Sequence, residues 1–222
     1  MDNLNNNEKN KLWSLFQNID KTTLTDSTSV LKNEVLLVDG LNTFIRAFCV
    51  SSAMNDNGVH TGGITGFLKS VGSAIKMYNP SRCVIVFDGA GGSLRRRKIY
   101  PDYKNKKVNK IRVNRSLTNI ADVDTEEEGI KKQLFRTISY LDCLPVTVMS
   151  IDNIEADDTI AYLAKDYCKN NDVIIMSADK DFLQLVDDRI KVWSPTKKKL
   201  YGCAEIIGEY RSEEHTSELQ SH

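Results

Sequence analysis

Val35-Leu36-Leu37-Val38-Asp39-Gly40 and Cys83-Val84-Ile85-Val86-Phe87-Asp88-Gly89 have the same design: an unbroken apolar run that ends on Asp-Gly. Short apolar runs without alternation mark strands covered on both faces. Three more follow, at Val146–Met149, Val173–Met176 and Ile190–Trp193. Helical spacing fills the gaps. Ile64, Phe67, Leu68, Val71, Ile75 and Tyr78 keep the 3.6 period over Gly62–Tyr78, and Ile130, Leu134, Ile138 and Leu141 mark another helix. Ile154–Cys168 reads as a third helix and Lys180–Val186 as a short one. Strands alternating with helices predict an α/β fold, with a mainly parallel central sheet of about five strands and helices on both faces. Ligand sites in such sheets form at the carboxyl ends of the strands. Ahead of this body, residues 8–19 place Leu12, Leu15, Phe16 and Ile19 on one helical face, and a polar linker follows at 21–29. The division expected is 1–29 as helix plus linker and 30–210 as the main domain.

The 222 residues are 41% hydrophobic and 27% charged, enough apolar matter for a packed core. No run approaches the ~18 apolar residues of a membrane span, and the start lacks a secretory pattern. Five scattered cysteines without CxxC spacing argue against a disulfide framework or thiolate metal site and fit a reducing cytoplasm. Of three histidines, two (His215, His222) fall in the last twelve residues, so histidine chemistry would have to run through His60. Catalysis, if present, falls to carboxylates. Residues 211–222 (RSEEHTSELQSH) match the in-frame translation of a common sequencing adapter. They are expected to be artefactual, the natural frame running on past Tyr210. Without them 29 basic and 27 acidic side chains remain, a net charge of +2.

The acids gather by position. Asp39 and Asp88 end the first two strands. Asp179 and Asp181 follow the fourth, in SADKDF, and Glu155, Asp157 and Asp158 open the helix after the third, in IEADD. Seven carboxylates at one rim repel one another unless cations neutralise them. Oxygen ligands without His or Cys select Mg²⁺ or Mn²⁺, and two such ions are the usual clamp for attack of water on a phosphodiester. Singly, each acid has another reading: Asp39 and Asp88 as N-caps or turn formers before Gly, Asp179 as a helix cap, the IEADD acids as partners of a helix dipole. Glu155 and Asp158, at i and i+3, share a helix face, whereas Asp157 points elsewhere. One of the three acids could stand behind the ligands.

Between Arg95 and Arg115 stand ten cations (Arg95, Arg96, Arg97, Lys98, Lys104, Lys106, Lys107, Lys110, Arg112, Arg115) and one acid, Asp102. Most charge runs are solvated faces. This one follows an acidic strand end and carries Tyr100 and Tyr103. Cations for phosphates beside aromatics for bases is the pattern of single-stranded nucleic-acid binding.

VDGLN, FDG, RRRKIYPDYK, IEADD and SADKDF, in that order, resemble the 5′-nuclease (flap endonuclease) family, which includes the 5′→3′ exonuclease domain of bacterial DNA polymerase I. WSPTKKKL after the last strand is similar to the phage 5′→3′ exonuclease (ribonuclease H) branch. The likeness runs from about Val35 to Leu200. It implies a PIN-like domain with a basic helical arch at about 95–125, acting as a Mg²⁺- or Mn²⁺-dependent nuclease in replication, with two ions. The implied substrates are DNA with a 5′ flap, nick or fork and RNA–DNA hybrids, the products carry 5′-phosphates, and replication proteins are possible partners of a cytoplasmic monomer. On this likeness Asp39, Asp88, Glu155, Asp157 and Asp179 are metal acids, with Asp158 and Asp181 beside them. Tyr103 stacks on a base and Lys104 stabilises charge at the scissile phosphate. Arg96 matches an upstream arginine, with Arg95 its rival. Arg46 matches a DNA-contacting arginine, and Arg97, Lys98, Lys106, Lys107 and Lys110 extend the nucleic-acid track.

Three departures stand out. Lys180 occupies a position where the family commonly has Gly, helix 8–19 has no counterpart, and the helix–turn–helix-like region that follows in the family, with further aspartates, lies beyond this chain. Three other readings compete: a PIN-type single-stranded RNA nuclease, a non-catalytic fork or single-strand DNA-binding module, and a structural domain whose acids are caps.

Overall fold

A computed structural model describes residues 33–100, 114 and 123–209. The expected helix at 8–19 and the tail at 211–222 lie outside the described residues. The order is β1 (Glu34–Asp39), α1 (Gly40–Val50), α2 (Gly62–Tyr78), β2 (Arg82–Asp88), α3 (Leu94–Ile99), α4 (Val123–Leu141), β3 (Thr147–Ile151), α5 (Ala156–Tyr162), β4 (Asp172–Met176), β5 (Ile190–Ser194) and β6 (Lys199–Tyr201). A π-turn at Leu163–Tyr167 continues α5, a 3-10 helix spans Lys180–Leu185, and residues 203–209 are helical. The sheet has the order β3-β2-β1-β4-β5-β6. The first five strands are parallel, as expected. The sixth, too short to show a pattern, returns antiparallel to β5.

Successive residues of a strand point to opposite faces, so a buried parallel strand feeds two cores. Leu37, Val84, Val86 and Ile175 pack with Ile160, Ala164 and Phe182 on one side. Leu36, Val38, Ile85 and Met176 pack with Phe44, Phe67, Val71 and Leu141 on the other. Each large side chain so enclosed contributes about 1.5–3 kcal/mol. Register brings the strand tips close: Asp39 lies opposite Val86, two residues before β2 ends at Asp88, and Val38 lies opposite Met176, the last residue of β4.

α1 has no counterpart among the expected elements. Leu41, Phe44, Ile45 and Phe48 keep helical spacing, but no turn residues separate it from β1, because Asp39 both ends the strand and caps the helix. The helix expected over 154–168 begins as α at Ala156 and finishes as the π-turn. No described helix is long and apolar enough to cross a membrane.

Candidate active site

Asp39 is enclosed, 5% exposed. Its carboxylate accepts from the Asn42 N–H at 3.2 Å and from the Ser177 hydroxyl at 2.9 Å. Ser177, directly after β4, also accepts from the Asp179 N–H at 3.1 Å, tying the ends of β1 and β4 together. Burial pushes the Asp39 carboxyl up to about 6. The two hydrogen bonds oppose that rise, and the fields of Asp157 and Asp88 add to it. Asp39, Asp88 and Asp157 therefore share one electrostatic neighbourhood.

Asp88, exposed at the tip of β2, accepts from the Ala156 N–H at 2.7 Å and so caps α5 from another strand. The close approach needs Gly89, where a Cβ would stand 1.7 Å from the Ile151 carbonyl oxygen. Glu155, the N-cap position of α5, is buried, and Arg96 of α3 forms an ion pair with it. The same guanidinium reaches Asp158 at 2.6 Å. Glu155 and Asp158 thus share a face, as their spacing predicts. Asp157, read from spacing as pointing elsewhere, is the IEADD acid whose field reaches Asp39. Asp179 caps the 3-10 helix through the Asp181 N–H at 2.9 Å, and the Asp181 side chain is exposed. The capping readings are therefore real for Asp39, Asp88 and Asp179.

Among the described residues, no three metal-ligating side chains close on one point. The donor chemistry still fits a hard divalent cation. Mg²⁺ keeps several waters and uses one or two carboxylates with substrate phosphates, not a closed protein cage. The like-charge field at Asp39 is what such an ion would relieve.

Arg46 projects from α1 and donates to the Thr196 hydroxyl at 3.4 Å. With Asp179, Lys180 and Lys197 it lines a cleft of about 240 Å³ beside the acids. Lys180 thus brings a cation where the resemblance leads one to expect Gly. Arg97 and Lys98 are exposed on α3. Of the rivals Arg95 and Arg96, Arg96 faces the acids; the Arg95 side chain lies outside the described residues, as do Tyr103, Lys104, Lys106, Lys107 and Lys110. His60 is buried against Ser51 and Gln133 and belongs to the packing. Sequence reasoning assigned nothing to Ser177 or Asn42. The available signal was a hydroxyl directly after a buried strand and an amide three residues after its aspartate.

The family described as 5′-3′ exonuclease, N-terminal resolvase-like domain, matches residues 34–211. The 5′-3′ exonuclease of Bacillus subtilis is 29% identical over 166 residues, 72% of this chain and 50% of the relative. That of Aquifex aeolicus is 30% identical, covering 78% and 55%. DNA polymerase I of Treponema pallidum is 33% identical over 72% of this chain, only 15% of the polymerase. The chain thus spans about half the length of the curated exonucleases it matches. Among solved structures, a bacteriophage T5 flap endonuclease in complex with DNA and metal ions has the same fold, with a TM-score of 0.62 at 17% identity over 80% of this chain and 61% of that one. A T5 5′-exonuclease with bound divalent ions gives 0.54 at 21% identity, covering 76% and 58%. The chain belongs to the family of 5′-3′ exonuclease N-terminal, resolvase-like domains.

Proposed function

We propose that residues 30–210 form the catalytic domain of a metal-dependent 5′→3′ exonuclease and flap endonuclease, which hydrolyses phosphodiesters at 5′ ends of DNA or RNA primers. The observation that carries this reading is the electrostatic neighbourhood that Asp39 shares with Asp88 and Asp157, at the tips of β1 and β2 and the start of α5, with Arg96 paired to Glu155 and Asp158 of the same IEADD motif. Asp39, Asp88, Asp157 and Asp179 would hold Mg²⁺ or Mn²⁺, two ions in the full site, with Glu155, Asp158 and Asp181 around them. When bound, such ions supply a nucleophilic water at neutral pH and neutralise phosphate charge.

The chain's own groups do the rest. Arg46, Arg97 and Lys98 hold phosphates of the incoming strand, with Lys106, Lys107 and Lys110 of the arch at about 95–125. Tyr103 stacks on a base, and Lys104 and Arg96 stabilise charge on the scissile phosphate. Glu155 and Asp158 aim the Arg96 guanidinium. Water oxygen bonds to phosphorus, the P–O3′ bond breaks, the proton passes to O3′ of the released upstream piece, and the phosphate stays on O5′ as the 5′-phosphate of the downstream strand. The substrates proposed are 5′ flaps, nicks, forks and RNA–DNA hybrids, met by a monomer in the cytoplasm where genomes replicate, alongside replication proteins.

The test is Mg²⁺-dependent release of short products from a 5′-labelled flap and a matched RNA–DNA hybrid, with Asp88→Ala as control. Metal-dependent cleavage lost in the control supports the reading. Flap binding without turnover in Mg²⁺ or Mn²⁺ refutes it and leaves a fork-binding module. Cleavage of single-stranded RNA alone points instead to the RNA nuclease.

A further inference from the structure

Arg96 spends its charge on Glu155 and Asp158. Arg46 and Lys180 do not spend theirs in this way. Among the described residues neither joins an ion pair, and the hydrogen bond that Arg46 donates goes to the Thr196 hydroxyl, at 3.4 Å. Both side chains are exposed, and both line the cleft of about 240 Å³ beside the acids, smaller than an ordinary small-molecule pocket. Lys197 is a third cation on its wall, paired with Glu209 at 2.8 Å. Asp179 is the acid there, and its carboxylate already accepts the Asp181 N–H. Two hydroxyls complete the polar wall. Ser194, 7% exposed, accepts the Lys197 N–H at 3.5 Å, and Thr196 accepts from Arg46. A hydroxyl also carries one donor. Among the described residues, neither hydroxyl finds an acceptor for its own proton. For Ser194, more than nine-tenths buried, an unspent donor is costly.

These donors share a rim with the acids. β5 runs parallel to β4, so Ser194 at its end stands on the same edge of the sheet as Asp179, which follows β4. Three strand spacings, about 14 Å, separate the tips of β2 and β5. Cations therefore flank the acids on both sides: Arg96, on the helix after β2, and the cleft at the end of β5. A wall rich in donors with a surplus of positive charge selects an anion that offers several oxygens. Beside a rim that cleaves phosphodiesters, that anion is a backbone phosphate. Resting on the nuclease reading above, we propose that Arg46, Lys180, Ser194 and Thr196 form a second phosphate subsite, which holds a substrate phosphate other than the scissile one. Lys180 is the decisive member. Glycine, which the resemblance leads one to expect there, would bring no charge to the cleft.

The test measures binding of fluorescent DNA by the full chain in EDTA, where metal-dependent hydrolysis does not interfere, over a range of salt. The probes are a 5′ flap, the same duplex without the flap, and the single strand. The variants are Lys180→Gln, Arg46→Gln and the two combined, with Lys76→Gln, an exposed lysine in the last turn of α2, as the charge control. Each is checked by thermal melting. Lys180→Gln should bind the flap on the order of 10-fold more weakly, and its slope of log affinity against log salt should fall by about 1. Lys76→Gln should do neither. The double variant should lose less than the product of the single losses, because both cations hold one phosphate. A loss that extends to the bare duplex places that phosphate in the duplex, and a loss confined to the flap and the single strand places it in the 5′ strand. Unchanged binding by folded Lys180→Gln, an equal loss in Lys76→Gln, or fully multiplying losses overturn the subsite. A wild type that binds flaps but does not cleave them in Mg²⁺ refutes the nuclease reading alone, and the same binding losses still judge the subsite. A wild type that binds none of the probes overturns both.

Discussion

Asp39→Asn should stabilise the metal-free protein while abolishing cleavage. Asp39 is 5% exposed, so solvent screens little of what it feels. Its carboxyl rises from the ordinary 3.8 to about 6, through burial first and the fields of Asp157 and Asp88 after it. Between these values the folded protein keeps a proton that the unfolded chain has released. Stability therefore falls as pH rises through that window, and the whole cost stands above it. The cost is about 3 kcal/mol at pH 8 and about 1 kcal/mol at pH 4.5. Asparagine has the same shape and no charge, so it escapes that cost. It weakens the bonds from the Asn42 N–H and the Ser177 hydroxyl, at about 1 kcal/mol. The net gain is about 2 kcal/mol at pH 8, or about 4–8 °C in Tm for a domain of this size, and close to nothing at pH 4.5. Thermal melts in EDTA at the two pH values measure it. Millimolar Mg²⁺ should raise the Tm of wild type and leave the variant unmoved. Destabilisation at pH 8, or an equal gain at both pH values, would refute the account of Asp39 as a charge confined against its neighbours.

Gly89→Ala forces a Cβ onto the Ile151 carbonyl, 1.7 Å away in the present backbone; a loss of about 3 kcal/mol or more is expected in a denaturant titration, and a native-like midpoint would show that the β2–β3 tips move freely. Asp88→Asn keeps an acceptor for the Ala156 N–H whereas Asp88→Ala loses it, so Ala should melt about 1 kcal/mol below Asn while both lose flap cleavage. Arg96→Gln withdraws the cation from buried Glu155 and costs about 2–3 kcal/mol in metal-free buffer. Part of that loss should return with Mg²⁺ in the same melt, and no difference between buffers would count against a cation site beside Glu155.

The strands and their acidic tips were legible because burial on both faces demands continuous apolar runs, and the run stops where Asp39 and Asp88 meet helix ends. The sheet order was not legible. Five apolar parallel strands look alike, and their neighbours are settled by which crossover helix covers which face. α1 was missed although Leu41, Phe44, Ile45 and Phe48 carry the period, since no turn residues announce a helix that starts inside the strand's own last residue. Counting along the α5 face paired Glu155 with Asp158 correctly. It could not say which face meets Asp39, because that depends on how α5 is rotated against β1 and β2 rather than on spacing.

Capping and metal binding need not be rival explanations of these acids. Asp39, Asp88 and Asp179 each accept a backbone N–H at the start of a helix or helical turn. Such a bond fixes one carboxylate oxygen and supplies partial positive charge, which favours the ionised form. A fold that keeps carboxylates charged at one rim without a cation needs local compensation of this kind, and Arg96 adds a full charge at Glu155 and Asp158. The compensation is incomplete at Asp39, where two hydrogen bonds leave the carboxyl near 6. Of these three capping acids, the one most removed from water is therefore the one whose charge remains least satisfied, and a divalent ion has most to gain there.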